Sequence, residues 1–304
     1  MPMGGRAHPI GAPSSSSGAR PWTAAPRSVF EPRSAFKAAG SIPAMLSPEV
    51  KPGELTAADR FVFESWGYFI IPEVLSADEV AECYAASERM HAHREHGFGQ
   101  LGRGYETEPS LEQLIDHPAV LPKVRGLYGD RFILQACWTT MQPAHAGMGR
   151  WHQDGSNAYD YKLLSYPIPL VQLRASVLLT DQTEPGMGNM ELVPGSHRSQ
   201  VPLPEEVVGS GDDVGIGHVI CASAGSVLVF HNAVWHRTYA HHGDRDRYTV
   251  HYIYSPPWAR SADRLENSPE FLERTTPLRR ALMGEFTRPD APYGANYDPP
   301  SFVS

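Results

Sequence analysis

From Phe132 onward the chain breaks into short β-rich runs closed by glycine and proline turns, and this punctuation constrains the fold more than any other feature. The runs are Phe132–Met141, Met148–His152, Leu173–Thr180, Met190–Val193, Ser226–Phe230 and Tyr248–Tyr254. Their branched and aromatic residues suit a pleated, half-buried surface. Pro185-Gly186-Met187-Gly188 and Pro194-Gly195-Ser196 supply the turn chemistry between them. Many short strands with turn signals predict a sandwich or barrel.

Upstream of these strands the pattern is helical. The apolar residues around Phe61–Phe63 predict a helix, and Trp66–Ile71 reads as a turn feeding a strand. Ser76-Ala77-Asp78-Glu79 is a capping box. Val80, Cys83, Tyr84 and Ser87 follow it at helical spacing, which carries an amphipathic helix to Met90. Shorter helices are expected at Leu111–Ile115 and Ala119–Tyr128, and a helical stretch at Glu270–Met283. The fold class is therefore mainly β with flanking helices.

At 304 residues the chain can bury a sizeable core. Residues 1–50 read as a disordered extension rich in Pro, Ser, Gly and Ala, and residues 51–304 as one folded domain. Five basic residues against one acid give residues 1–48 a net charge of +4, so the remainder carries −12 of the total −8. An acidic body excludes nucleic acid as a partner, because phosphate binding needs a basic face. No apolar run approaches the roughly 20 residues that span a bilayer. Cys83, Cys137 and Cys221 are too sparse for a disulfide framework and predict reduced thiols in the cytoplasm. The Arg-rich, acid-poor first 48 residues also fit an organelle transit peptide, and Met45 is an alternative start.

The residues with chemistry are His152-Gln153-Asp154, a distant His236 and then Arg247. Residues i and i+2 of a strand share a face, so His152 and Asp154 can reach one metal ion. Two neutral imidazoles and a carboxylate that leave other positions open are the facial arrangement of non-haem Fe(II) oxygenases. His231, His241, His242 and His251 compete with His236 for the third position. Arg247 lies eleven residues past His236, far enough to cross a turn and return on the next strand. Its guanidinium suits a paired contact with a carboxylate.

Around these residues the chain resembles the phytanoyl-CoA dioxygenase family of Fe(II)/2-oxoglutarate oxygenases. The matching stretches are Trp151–Gly155, Leu178–Asp181, Gly188–His197, and His236-x-Thr238 with Arg247. The likeness runs from about Leu55 to about Trp258. It implies a double-stranded β-helix, a jelly-roll of the cupin type, with Fe(II) held by His152, Asp154 and His236. It also implies 2-oxoglutarate as cosubstrate, its far carboxylate on Arg247 and Thr238, with Gln135 as a further contact. The implied reaction is hydroxylation of a small organic molecule, with O2 consumed, succinate and CO2 released, and ascorbate as a reductant. Related halogenases lack the carboxylate ligand, so Asp154 favours hydroxylation.

Trp138, Trp151, Tyr159, Tyr161, Arg174 and Trp235 are candidate pocket residues, and Gly155–Leu170 a candidate substrate loop. His197 and His231 read as structural, and the His241-His242 pair as an exposed loop. Two other readings use the same residues. One is a cupin-like metalloenzyme that does without a keto acid, against which Arg247 and Thr238 argue. The other is a non-catalytic metal-binding module.

Overall fold

Nine strands build two facing antiparallel sheets in this computed structural model, which describes residues 47–93, 99–155, 160–210, 212 and 214–285. The larger sheet runs β1 (Tyr68–Ile71), β7 (Val227–His231), β4 (Leu173–Leu178), β9 (Arg247–Ser255), β3 (Ile133–Gln142) and β2 (Gly99–Gly102). The smaller runs β6 (His218–Val219), β5 (Met190–Leu192) and β8 (His236–Thr238).

Strand alternation gives the large sheet two unlike faces. Phe69, Val177, Val229, Val250, Tyr252 and Tyr254 point to the helical layer and join Phe63, Cys83, Leu111 and Val124 in the main core. The opposite face meets the small sheet. There Tyr68, Ile70, Leu228 and Phe230 pack on Met190 and Leu192. Further along that face the chemistry changes. Thr140, Gln142, Ser176, Arg247, Thr249 and His251 are buried, and registers Gln142↔Arg247, Thr140↔Thr249 and Ser176↔His251 put them together. Buried polar groups cost several kcal/mol, on the order of 2–7 each, when left without partners, so a polar patch between two sheets needs a reason beyond packing.

The helices follow the expected signals with two adjustments. α1 (Ala57–Trp66) is opened by a Thr56/Asp59 capping box and ended by Gly67 at φ 83°. A Cβ at Gly67 would lie 2.4 Å from Val234 Cγ2, so only glycine fits that turn. α2 (Ala77–His91) has the Ser76/Glu79 box read from the sequence. α3 (Pro109–Glu112) is a single turn and α4 (Leu121–Tyr128) two. α5 (Glu205–Ser210) lies between β5 and β6. The stretch expected as one helix over Glu270–Met283 is two, α6 (Pro269–Arg274) and α7 (Pro277–Leu282). Pro277 lacks the N–H needed to continue a helix, and Thr276 caps the new one.

Three other expectations are corrected. Met148–His152 is extended but joins the sheets only through Gly149 and His152, because its partner β8 is three residues long. β2 and β6 have no β-rich run to announce them. The fold also starts before residue 51: Ile70 N–H donates to Pro48 O and Val50 N–H to Ile70 O, each at 2.8 Å. The expected extension otherwise lies outside the described residues. Among the described residues no helix is long and apolar enough to cross a membrane.

One ion pair fastens the helical layer. Lys123, on α4, is 1% exposed and holds Asp59 Oδ2 at 2.6 Å and Glu54 O at 2.7 Å. Burial alone would raise the Asp59 carboxyl, but Lys123 and the Thr56 cap outweigh it and hold the group below its usual value. Its contribution is therefore present above an ordinary carboxylate pKa and lost as pH falls through the folded value. We expect Asp59→Ala to destabilise the chain by about 3–5 kcal/mol, since it strands a buried ammonium. Urea unfolding checks this, and a loss under about 1 kcal/mol would mean that Lys123 finds water.

Candidate metal centre

The extended segment 148–154 runs antiparallel to β8. Gly149 N–H donates to Thr238 O at 2.8 Å, His152 and His236 exchange backbone hydrogen bonds of 2.9 and 3.0 Å, and Asp154 N–H reaches Asn232 O at 2.9 Å. Residues directly opposite in such a pair project to the same side. The two imidazoles consequently meet, with ring centroids 4.2 Å apart. Each is fixed by the same local device. His152 Nδ1 lies 3.0 Å from Arg150 O and His236 Nδ1 2.8 Å from Val234 O, the carbonyl two residues earlier. A carbonyl only accepts, so both rings carry their proton on Nδ1 and present a bare Nε2.

Asp154 completes the cluster. Oδ1 is 3.9 Å from His152 Nε2 and Oδ2 3.5 Å from His236 Nε2, and all three donor atoms lie within 4.8 Å of one another. His236 and Asp154 are buried, whereas the His152 side chain is 50% exposed, so the cluster is open on one side. Arg174 on β4 clamps the carboxylate, with Nη2 donating to Oδ1 at 2.7 Å and Nε against Oδ2. Tyr161 hydroxyl donates to the Asp154 carbonyl and accepts from Asn232 Nδ2 at 2.5 Å. The main chain of Asp154 is thus gripped at both ends.

Near this cluster Arg247 stands on the first position of β9. It is 3% exposed, with Nη1 donating to Thr249 Oγ1 at 2.7 Å and Nη2 to Gln142 Oε1 at 3.0 Å. Nε is buried without a hydrogen-bond partner, and among the described residues no carboxylate pairs with this guanidinium. Burial lowers its pKa to about 10, so it stays charged at neutral pH. Gly188, at φ 73°, keeps the approach clear: a Cβ there would lie 2.6 Å from Gln142 Oε1 and 3.2 Å from Arg247 Nε. A cavity of ≈ 330 Å³ opens beside it, lined among others by Gln142, Met148, Arg150, His152 and Thr238.

The residues singled out in the sequence divide clearly. His152, Asp154 and His236 converge, and Thr238 shares the cavity with His152. Gln135 does not line it. It sits at a β-bulge in β3, between Leu134↔Tyr254 and Ala136↔Ile253, with its amide bonded to Arg260 O and Gln172. Gln142 is the residue of that strand that meets Arg247, a consequence of register that no local pattern announces. Trp151 alternates with His152 and faces away, 1% exposed, with Nε1 on Asp212 O and Arg237 stacked 4.3 Å from its ring. It is structural, not a pocket wall. Trp138 is half-buried on the face shared with Thr140 and Gln142, and Trp235 is half-buried beside Val193 and Ser196. Tyr159 lies outside the described residues. The His231 and His197 rings lie 5.0 Å apart, tilted by 39°, and His231 belongs to the opposite face of β7 from Phe230. His241 is buried on Arg245 O, against the expected exposed loop, while His242 is exposed.

Two facing antiparallel sheets with a His-Asp-His cluster between them define a double-stranded β-helix of the cupin type. The family model for phytanoyl-CoA dioxygenase matches residues 63–249, and the chain belongs to that family. Among solved structures it is similar to HygX from Streptomyces hygroscopicus with nickel and 2-oxoglutarate bound. That match has 19% identity over 68% of this chain and 90% of HygX, with a TM-score of 0.58. The non-heme alpha ketoglutarate dependent epimerase SnoN matches at 23% identity over 65% of this chain and 79% of its own, with a TM-score of 0.51. The carbocyclase SnoK of nogalamycin biosynthesis matches at 21% over 73% and 92%, with a TM-score of 0.54.

Burial also controls protonation here. It drives His236 down to about 3, helped by neighbouring His152 and opposed by Asp154. His231 falls to about 3 and His197 to about 4, again mainly through burial, and His251 lies well below its usual value. Each ring is neutral when folded but takes a proton in the unfolded chain below about 6.5. Stability is therefore full above that pH and declines as it falls, by at most about 1.4 kcal/mol per unit per histidine. We expect chelator-treated protein to unfold at clearly lower urea at pH about 5 than at pH about 7.5, and equal midpoints would contradict the burial of these rings.

Proposed function

We propose that this chain is an Fe(II)/2-oxoglutarate-dependent dioxygenase that oxidises a small organic molecule, consuming O2 and releasing succinate and CO2. The observation that carries this reading is Arg247, a buried guanidinium with an orphan Nε and, among the described residues, no carboxylate partner, bonded to Gln142, which lines the cavity that also holds His152. An uncompensated buried charge is strongly unfavourable. A dicarboxylate that spans from the cluster to Arg247 supplies the missing anion. The HygX structures, described with nickel or iron and with 2-oxoglutarate, support the same choice of metal and cosubstrate.

In this reading His152, Asp154 and His236 hold the iron, a donor set suited to Fe(II) with positions left open. Bound iron and keto acid supply O2 activation coupled to oxidative decarboxylation. The protein supplies orientation. The Arg150 and Val234 carbonyls keep both Nε2 lone pairs aimed at the same point, and the low pKa of His236 keeps it unprotonated for the ion. Arg174 balances the charge of Asp154 and limits how the carboxylate turns. Gln142 and Thr249 brace Arg247 for the far carboxylate, with the Thr238 hydroxyl beside it. Gly149 lets the first-ligand segment lie on β8, since a Cβ there would come within 3.2 Å of Thr238 N.

Hydroxylation is the outcome we assign. SnoN and SnoK are described as an epimerase and a carbocyclase, so product analysis rather than fold decides it. A cupin-type enzyme without a keto acid would leave Arg247 without purpose.

Two measurements test the assignment. Arg247→Met should weaken 2-oxoglutarate binding to the nickel-loaded protein about 100-fold, near 2.7 kcal/mol, by titration calorimetry. Unchanged affinity would remove the cosubstrate from this pole. Asp154→Ala should abolish substrate-coupled succinate release and metal retention, and full turnover in that variant would end the iron assignment.

A further inference from the structure

We infer that the substrate carries an oxyanion, a carboxylate or phosphate, and that Arg150 is the residue that receives it. This rests on the iron and 2-oxoglutarate reading above and extends it to the substrate class.

The argument begins with charge. Arg174 and Asp154 neutralise each other inside the site, and Arg247 adds one positive charge. A divalent ion and a doubly negative cosubstrate cancel. One positive charge, that of Arg247 behind Gln142, remains beside the cavity before Arg150 is counted. Arg150 lines the same cavity as His152 and Thr238 and is exposed at its mouth. Its carbonyl is committed to His152 Nδ1, yet its guanidinium has no hydrogen bond or ion pair among the described residues. Most arginines of the domain are engaged, Arg89 with Glu108, Arg237 with Glu191, Arg264 with Asp263 and Arg279 with Asp116. Arg150 is an exception placed two residues before the first proposed ligand, on the side of the segment that carries His152.

The surroundings leave that charge uncancelled. Among the described residues no acid lines the cavity. The acids of the turn before β9 have contacts of their own, Asp244 with His145 Nε2 at 3.3 Å and Asp246 accepting from Ala144 N–H at 3.0 Å, and neither lines the cavity. In a domain of net charge −12, a basic cavity mouth is a local inversion of sign that concentrates anions. A guanidinium with two parallel N–H donors matches carboxylate and phosphate geometry. The rest of the lip is apolar, with Pro143, Ala146 and Met148. That combination fits an oxyanion on a hydrocarbon frame, held at the mouth so that its carbon skeleton lies toward His152.

The test uses nickel-loaded full-length protein saturated with 2-oxoglutarate and four probes on one skeleton: hexanoate, hexyl phosphate, hexanamide and hexylamine. Paramagnetic relaxation of probe protons by nickel reports binding near the cluster. We expect relaxation for hexanoate and hexyl phosphate, not for hexanamide or hexylamine, with retention in Arg150→Lys. Arg150→Gln should cost about tenfold or more in oxyanion affinity, and this exposed, uncommitted side chain should leave folding intact. Equal relaxation by hexanamide or hexylamine, relaxation by none of the four, or unchanged affinity in Arg150→Gln would overturn the proposal. So would a tenfold loss of 2-oxoglutarate affinity in that variant, which would make Arg150 a cosubstrate contact. Binding of nickel and 2-oxoglutarate is measured first, so failure at that stage falls on the cosubstrate assignment and takes this inference with it.

Discussion

The whole site hangs on one reciprocal backbone pairing, between His152 and His236. Two hydrogen bonds place residues 84 positions apart opposite each other, and antiparallel geometry alone then turns both imidazoles to one side. Asp154 follows because strand alternation returns it to that face two residues later. Nothing about the side chains themselves has to be attracted for the three to meet. Attraction would in fact be lacking, since His236 is buried neutral and pressed against another ring. The backbone bears the cost of assembling groups that prefer water, and the small sheet exists largely to provide that backbone.

Around this pairing the protein balances charge in two different ways. Asp154 is answered by Arg174 within the chain, so it is stable without any visitor. Among the described residues Arg247 is answered by neutral oxygens, Gln142 Oε1 and Thr249 Oγ1. These dipoles hold the guanidinium in place without cancelling its charge. The difference separates a pole whose charge is closed within the chain from a pole held by dipoles. It also explains why the interior of the β9–β3 end is polar while the β1–β7 end of the same face is apolar. A single face serves as core at one end and as cavity wall at the other.

Much of this was legible in the sequence, for reasons that differ by residue. The capping box at Ser76, the strands around Phe132 and Tyr248, and the His152-x-Asp154 spacing are local patterns whose period is their structure. His236, Thr238 and Arg247 came through family resemblance, since several nearby histidines fit equally by spacing. Gln142 was missed because its partner is set by β3–β9 register across more than a hundred residues, and the bulge at Gln135 shifts that register by one. Trp151 stood as a pocket candidate with a core position the commoner alternative, and strand alternation decides for the core. β2 and β6 were invisible, being a Gly-Gln-Leu-Gly edge and a two-residue fragment. The extra break at Pro277 was available from proline chemistry alone.

The bulge that hides Gln142 has a second effect. It leaves Gln135 without a partner position on β9, and the Gln135 side chain starts a relay of amides. Gln135 binds Arg260 O on one side and Gln172 on the other, Gln172 N–H reaches Asn232 Oδ1, and Asn232 holds Tyr161 against the Asp154 carbonyl. The strip after β9 is therefore linked to the Asp154 carbonyl through Gln135, Gln172, Asn232 and Tyr161. Shifting the main chain at Arg260 would pull on this chain of hydrogen bonds, so the setting of Asp154 depends on a segment more than a hundred residues away in sequence.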